Sequence, residues 1–148
     1  MGEDRRVLVV DDDEHALEMM AEFLPTLGCE VLLARDGEEG LQIFQAERPP
    51  LVLTDLQMLK LDGLALMKAI KEFSPRTEIL ILTGHADLGS AVEAVRQGAF
   101  DYLLKPVDLR ALGRRVKQAF ERHQLVSEKE ALLDELEQRV ENRTQALI

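Results

Sequence analysis

Short apolar runs alternate along the chain with longer stretches in which apolar residues recur every three or four positions. Residues 7–10, 31–34, 51–55, 79–83 and 102–104 are the short runs, rich in Val, Ile and Leu, and each reads as a strand. Between them, 14–27, the segment beginning at Asp36, 64–73 and 86–97 carry helical spacing, and a further helix begins at Asp108. The punctuation agrees. Gly28 and Gly98 follow helical patterns, Pro49-Pro50 ends another, and Asp62-Gly63 marks a turn. Asp36 with Glu39 has the spacing of a capping box. Pro25 falls inside the first helical pattern and removes a backbone donor, which predicts a kink or a tightened last turn.

Five strand-then-helix units follow one another. The strands are apolar throughout rather than alternating, as expected for a parallel sheet covered on both faces. Right-handed crossover helices then make an open, doubly wound α/β sheet, whose ligands bind beyond the carboxyl ends of the strands. Asp11 and Asp12 leave the first strand, Asp55 the third, Thr83 the fourth and Lys105 the fifth, so all five belong to that one edge. Core packing gives no reason to gather three carboxylates and a lysine there.

Composition narrows the partners. The net charge of −10 makes this segment a poor binder of nucleic-acid phosphates. No apolar run approaches the ~18 residues of a membrane span, and the start has neither a signal-peptide pattern nor a myristoylation signal, since Arg6 stands where Ser or Thr is needed. The single cysteine, Cys29, excludes an internal disulfide and reads as buried and inert. A cytoplasmic protein fits these features.

Carboxylates packed closely repel one another unless a cation intervenes. A hard divalent ion with oxygen ligands suits them, magnesium (or manganese) better than calcium, since no EF-hand spacing is present. One carboxylate can then attack phosphorus while the metal and an ammonium neutralise the phosphoryl oxygens. Asp55, ending the central strand, is the candidate nucleophile, Lys105 the ammonium and Thr83 a hydroxyl donor to the phosphoryl group.

The motifs VLVVDDDEH, LVLTDLQM, LDGL, ILTGHAD and GAFDYLLKP, in this order and spacing from about Val7 to Phe120, resemble the receiver domains of two-component response regulators. The resemblance implies a flavodoxin-like sheet of order 2-1-3-4-5. It implies that Asp55 accepts a phosphoryl group from a sensor histidine kinase. Asp12, Asp55 and the Gln57 backbone carbonyl would bind magnesium, with Asp11 orienting metal-bound water. Lys105 would pair with the phosphoryl group, and Thr83 and Tyr102 would move together as a switch, relaying the change to the face made by the fourth helix, fifth strand and fifth helix. Gln57 and His85 occupy positions that tune phosphoryl lifetime in this family. The resemblance implies no enzyme acting on a separate metabolite, beyond phosphorylation and slow hydrolysis of its own aspartate. Met58-Leu59 departs from the family's Met-Pro, which predicts a more mobile loop and keeps open a phosphorylation-independent pseudo-receiver acting as an interaction module. A phosphatase with an aspartyl nucleophile would need a second acid where Gln57 stands.

Simpler readings apply to neighbouring residues. Asp13 and Glu14 suit a helix start, His15 reads as a surface residue, and Tyr102 can also be read as a packed aromatic.

Receiver residues 1–120 are expected to lead into a helical linker, 121–148. Val126, Lys129, Leu133, Leu136, Val140, Arg143 and Leu147 recur at spacings of three and four, a heptad seam with two polar interruptions. It predicts a parallel coiled coil joining two receivers, the alternative being a solvated helix packed on its own domain. LEQRVENRTQAL resembles the signalling helices that lead from receivers to output domains. An output of the histidine kinase, HD-type phosphodiesterase or diguanylate cyclase kind is expected ahead of a DNA-binding one.

Overall fold

The computed structural model describes residues 4–58 and 60–147. The expected loop mobility at Leu59, and the side chain of the last seam position, Leu147, lie outside the described residues. Strands β1 (Arg6–Val10), β2 (Glu30–Ala34), β3 (Leu51–Asp55), β4 (Glu78–Thr83) and β5 (Asp101–Leu104) form one sheet of order β2-β1-β3-β4-β5, every pair parallel. Helices α1 (Glu14–Phe23), α2 (Gly37–Glu47), α3 (Gly63–Phe73), α4 (Leu88–Arg96) and α5 (Leu109–Leu147) cover it.

Alternate strand residues serve opposite faces, which is why the strands are apolar throughout. Val7, Val9, Leu51, Leu53, Leu80 and Leu82 pack with Leu17, Met20 and Leu24 of the first helical segment and with Leu112, Val116 and Phe120 of α5. Leu8, Val10, Val52, Ile79 and Ile81 pack with Phe44 of α2, Leu66 and Ile70 of α3 and Ala91 of α4. Cys29 is buried in the first cluster, and burial pushes its thiol pKa up, consistent with an unreactive residue.

Local chemistry sets the element ends. Pro25 has no N–H to continue α1, so the chain tightens into a 3-10 turn over Leu24–Leu27, closed by Gly28 at φ 82°. Asp36 caps α2 by accepting the Glu39 N–H at 2.8 Å. The return arm of the box is displaced by one residue: the Glu39 carboxylate accepts from the Arg35 N–H, at 3.4 Å. The helix expected over 86–97 instead begins as a 3-10 turn, His85–Asp87, and becomes α-helical only at Leu88.

Asp108 starts α5, its carboxylate accepting from the Arg110 N–H at 2.9 Å. The helix passes Phe120 without interruption and continues for roughly 40 Å at ~1.5 Å per residue. Beyond the core its footing is in part ionic. Arg122 Nε stands 3.5 Å from Glu78, and Glu130 pairs with Arg76 of the α3–β4 loop. Leu125, Leu132, Leu133, Leu136 and Val140 are 46–65% exposed. No helix among the described residues is long and apolar enough to cross a membrane.

Candidate functional site

The parallel register brings the ends of β1, β3, β4 and β5 together. Val10 pairs with Thr54, Asp55 with Leu82, and Thr83 with Leu104, so the residues that end or follow these strands share one edge. Asp11 is pinned there by its N–H bond to the Ala34 carbonyl (3.1 Å) and is only 1% exposed. Its Oδ1 accepts from the Asp13 N–H at 2.9 Å. Asp12 follows and faces solvent. Asp55 closes β3 with a side chain 14% exposed.

One carboxylate oxygen from each of Asp11, Asp12 and Asp55 lies within 4.8 Å of the others. Lys105 answers part of this charge, with Nζ 2.8 Å from Asp55 Oδ2 and 3.3 Å from Asp11 Oδ2. Three carboxylates and one ammonium leave an excess of two negative charges if all are ionised. Burial pushes the Asp11 carboxyl above its usual range and the Asp55 charge adds to that, opposed by the Asp13 N–H and by Lys105. Burial alone would depress the Lys105 ammonium, but the hydrogen bond to Asp55 and the field of Asp11 outweigh it and hold its pKa above the ordinary value. An all-oxygen set with uncompensated negative charge fits a hard divalent cation.

Thr83 is fully buried, and its hydroxyl donates to the Gly84 carbonyl at 3.2 Å. The strand-end geometry is held by the Lys105 N–H bond to the Thr83 carbonyl (2.7 Å), before a cis Lys105–Pro106 peptide. Tyr102 is half-buried against the cluster that includes Ala91, Ala94 and Ala99. Gln57 is exposed, and its N–H reaches Asp55 Oδ1 at 3.4 Å. His85 is exposed at the start of the turn before α4. Asp13 accepts from the His15 N–H as the cap of α1, Glu14 pairs with Arg35 at 3.2 Å, and His15 is exposed, in line with their reading as helix-start and surface residues. A groove of about 290 Å³, lined in part by Met19, Lys105 and Val107, opens beside the acidic cluster.

Two participants were not singled out from sequence. Gly63 was read only as a turn signal. Its N–H donates to the Leu56 carbonyl at 2.9 Å, and a Cβ there would overlap the Asp55 carbonyl, so the start of α3 rests directly on the end of β3. Asp87 accepts a hydrogen bond from Gln57 Nε2 at 3.1 Å, joining two loops 30 residues apart. The Asp-Gly pair hinted at the first; no local pattern marks the second.

Comparison with known proteins agrees with this geometry. The response regulator receiver domain family matches residues 7–117. The regulatory protein AtoC of Escherichia coli K12 is 35% identical over 116 residues, covering 78% of this chain and 25% of that protein. The DNA-binding transcriptional regulator NtrC of the same organism is 38% identical over 118 residues, covering 80% and 25%. The chain therefore spans about a quarter of the length of these curated relatives. A response regulator receiver domain protein from Clostridium thermocellum superposes with a TM-score of 0.79 at 38% identity, covering 82% of this chain and 98% of that one. The chain belongs to the response regulator receiver domain family, the phosphorylation-dependent signalling modules of two-component systems.

Proposed function

We propose that this receiver takes a phosphoryl group onto Asp55 from the phosphohistidine of a sensor histidine kinase, with magnesium at the acidic cluster. The observation that carries the reading is the convergence of Asp55 with Asp11, Asp12 and Lys105 on one strand edge. Asp11, Asp12, Asp55 and the Gln57 carbonyl would hold the ion, which when bound offsets the charge of the phosphoryl oxygens. An Asp55 oxygen attacks phosphorus, the bond to the donor nitrogen breaks, and the nitrogen keeps the electron pair. Lys105, already bonded to Asp55, pairs with the incoming oxygens. The Thr83 hydroxyl, now bonded to Gly84, turns to donate to the phosphoryl group. Tyr102 follows inward, and the change passes to the α4–β5–α5 face.

The same reading makes α5 the route onward, through a homodimeric coiled coil to an output domain, in the cytoplasm. The receiver itself turns over no separate metabolite. The curated relatives' greater length supports an output beyond the receiver, and NtrC, a DNA-binding transcriptional regulator, adds DNA binding to the candidate outputs.

Incubating the chain with magnesium and acetyl phosphate tests the core of the proposal. The expected result is a gain of one phosphoryl mass in the wild type and none in Asp55→Asn. An unlabelled wild type, or equal labelling of the variant, overturns it.

A further inference from the structure

The Gln57–Asp87 hydrogen bond joins the loop that follows Asp55 to the turn that follows β4. Gln57 lies two residues past Asp55 on the β3–α3 loop, and Asp87 ends the 3-10 turn that follows β4. Gln57 Nε2 donates to Asp87 Oδ1 at 3.1 Å. Gln57 is exposed and Asp87 half-buried, so the bridge lies at the rim, whereas Asp11 and Asp55 form the floor. A free glutamine side chain samples several rotamers; one anchored at its tip does not. Asp87 makes no hydrogen bond to Asp55, Asp12 or Lys105 among the described residues, and its side-chain hydrogen bond goes to Gln57.

We infer that Asp87 is a positioning residue that tethers Gln57 across the rim and thereby lengthens the life of the aspartyl phosphate. The inference rests on the phosphoacceptor reading of Asp55. Hydrolysis of that group requires a water oxygen to attack phosphorus in line with the bond to Asp55. The phosphorus–oxygen bond then breaks, Asp55 regains its carboxylate electron pair, and the water protons leave with inorganic phosphate and solvent. Because Asp55 lies at the floor, in-line water enters from the rim. A tethered Gln57 narrows that entry; a released one opens it.

The test follows loss of the phosphoryl group, after removal of acetyl phosphate with magnesium retained, in the wild type, Asp87→Ala, Gln57→Ala, the double variant and Asp87→Asn. The last of these loses the charge and exchanges one oxygen for an NH2 group but keeps an acceptor oxygen for Gln57. Each alanine variant is expected to shorten the half-life about three- to tenfold, the double variant no more than either single one, and Asp87→Asn to stay within twofold of wild type. Multiplying effects in the double variant, an unchanged half-life in Asp87→Ala, a lengthened half-life in either alanine variant, or Asp87→Asn behaving like Asp87→Ala would overturn the tether. A wild type that accepts no phosphoryl group overturns the phosphoacceptor reading itself and the inference with it. A labelled wild type with non-conforming variants overturns the inference alone.

Discussion

Lys105 Nζ donates to Asp55 Oδ2 at 2.8 Å while also lying 3.3 Å from Asp11 Oδ2, so one ammonium links the floor carboxylate to the proposed phosphoacceptor. Its backbone is held by the bond to Thr83 and its Nζ by the two carboxylates, so the charge is already placed at the site. Lys105→Met keeps most of the side-chain length and removes the charge. Labelling by acetyl phosphate should slow by roughly 10- to 100-fold, about 1.4–2.7 kcal/mol of lost stabilisation. Circular dichroism should show the fold intact. Labelling at the wild-type rate would show that Lys105 has no part in the chemistry.

Gly63→Ala sets two effects against each other. Alanine favours a helix over glycine by ~1 kcal/mol. The new methyl, however, would overlap the backbone carbonyl of Asp55, which cannot swing aside as a flexible side chain can. Overpacking of this kind costs ~1–3 kcal/mol, so the collision wins. Urea unfolding should show a net loss of up to about 2 kcal/mol, and magnesium affinity should weaken because the displaced atoms belong to β3's end. A stabilised variant would mean that α3 moves off β3 freely.

Much of this arrangement is legible from residue order. Continuous apolar strands specify a sheet covered on both faces, and acids at the ends of the first and third strands then share an edge before any contact is known. Pro25 and Gly28 announce the tightened turn between them because their constraints are local. What escaped depends on partners distant in sequence. Gly63 looks like any Asp-Gly turn until α3 is laid against β3. The Gln57–Asp87 bond joins two loops whose separate patterns say nothing of each other. The apolar run predicts a strand from Ile79, whereas β4 begins one residue earlier, at Glu78. The pairing of β4 with β3 at Leu51, and the passage of α5 overhead, bury it.

Glu78 makes stability depend on pH. It is 4% exposed, its Oε2 has no hydrogen-bond partner among the described residues, and Arg122 stands 3.5 Å from its Oε1. Burial pushes its carboxyl above the usual glutamate range, outweighing the opposing pull of Arg122 and Lys71. A raised carboxyl pKa means that the folded state holds its proton more tightly than the unfolded chain. The contribution is therefore complete below the ordinary glutamate pKa and is lost as pH rises through the folded value. Glu78→Gln removes this dependence. Its stability relative to wild type, from urea unfolding, should increase from about pH 4 to pH 8. A constant difference across that range would show that the carboxyl titrates as it does in the unfolded chain.

The extension of α5 needs something to cover it. Past Phe120 its ties to the receiver body include two ion pairs, of which the exposed one, Arg76–Glu130, contributes only ~0–1 kcal/mol. Its apolar residues meanwhile face solvent: Leu133 is 48% exposed, Leu136 46% and Val140 63%, on the seam shared with Val126. A second copy aligned in parallel would bury that seam, with Lys129 and Arg143 reducing stability where they interrupt it. Burying a leucine contributes ~1.5–3 kcal/mol. About half of each leucine remains to be covered, so Leu133→Glu with Leu136→Glu, on both chains, should cost the dimer roughly 3 kcal/mol or more, weakening association by at least about two orders of magnitude. Light scattering should find the full chain dimeric. The double variant and a chain ending at Phe120 should be monomeric, and both should still accept a phosphoryl group, since Leu112, Val116 and Phe120 of the receiver core remain. Equal masses for the full and shortened chains would remove the coiled coil from the proposal and leave the α5 extension a solvated helix.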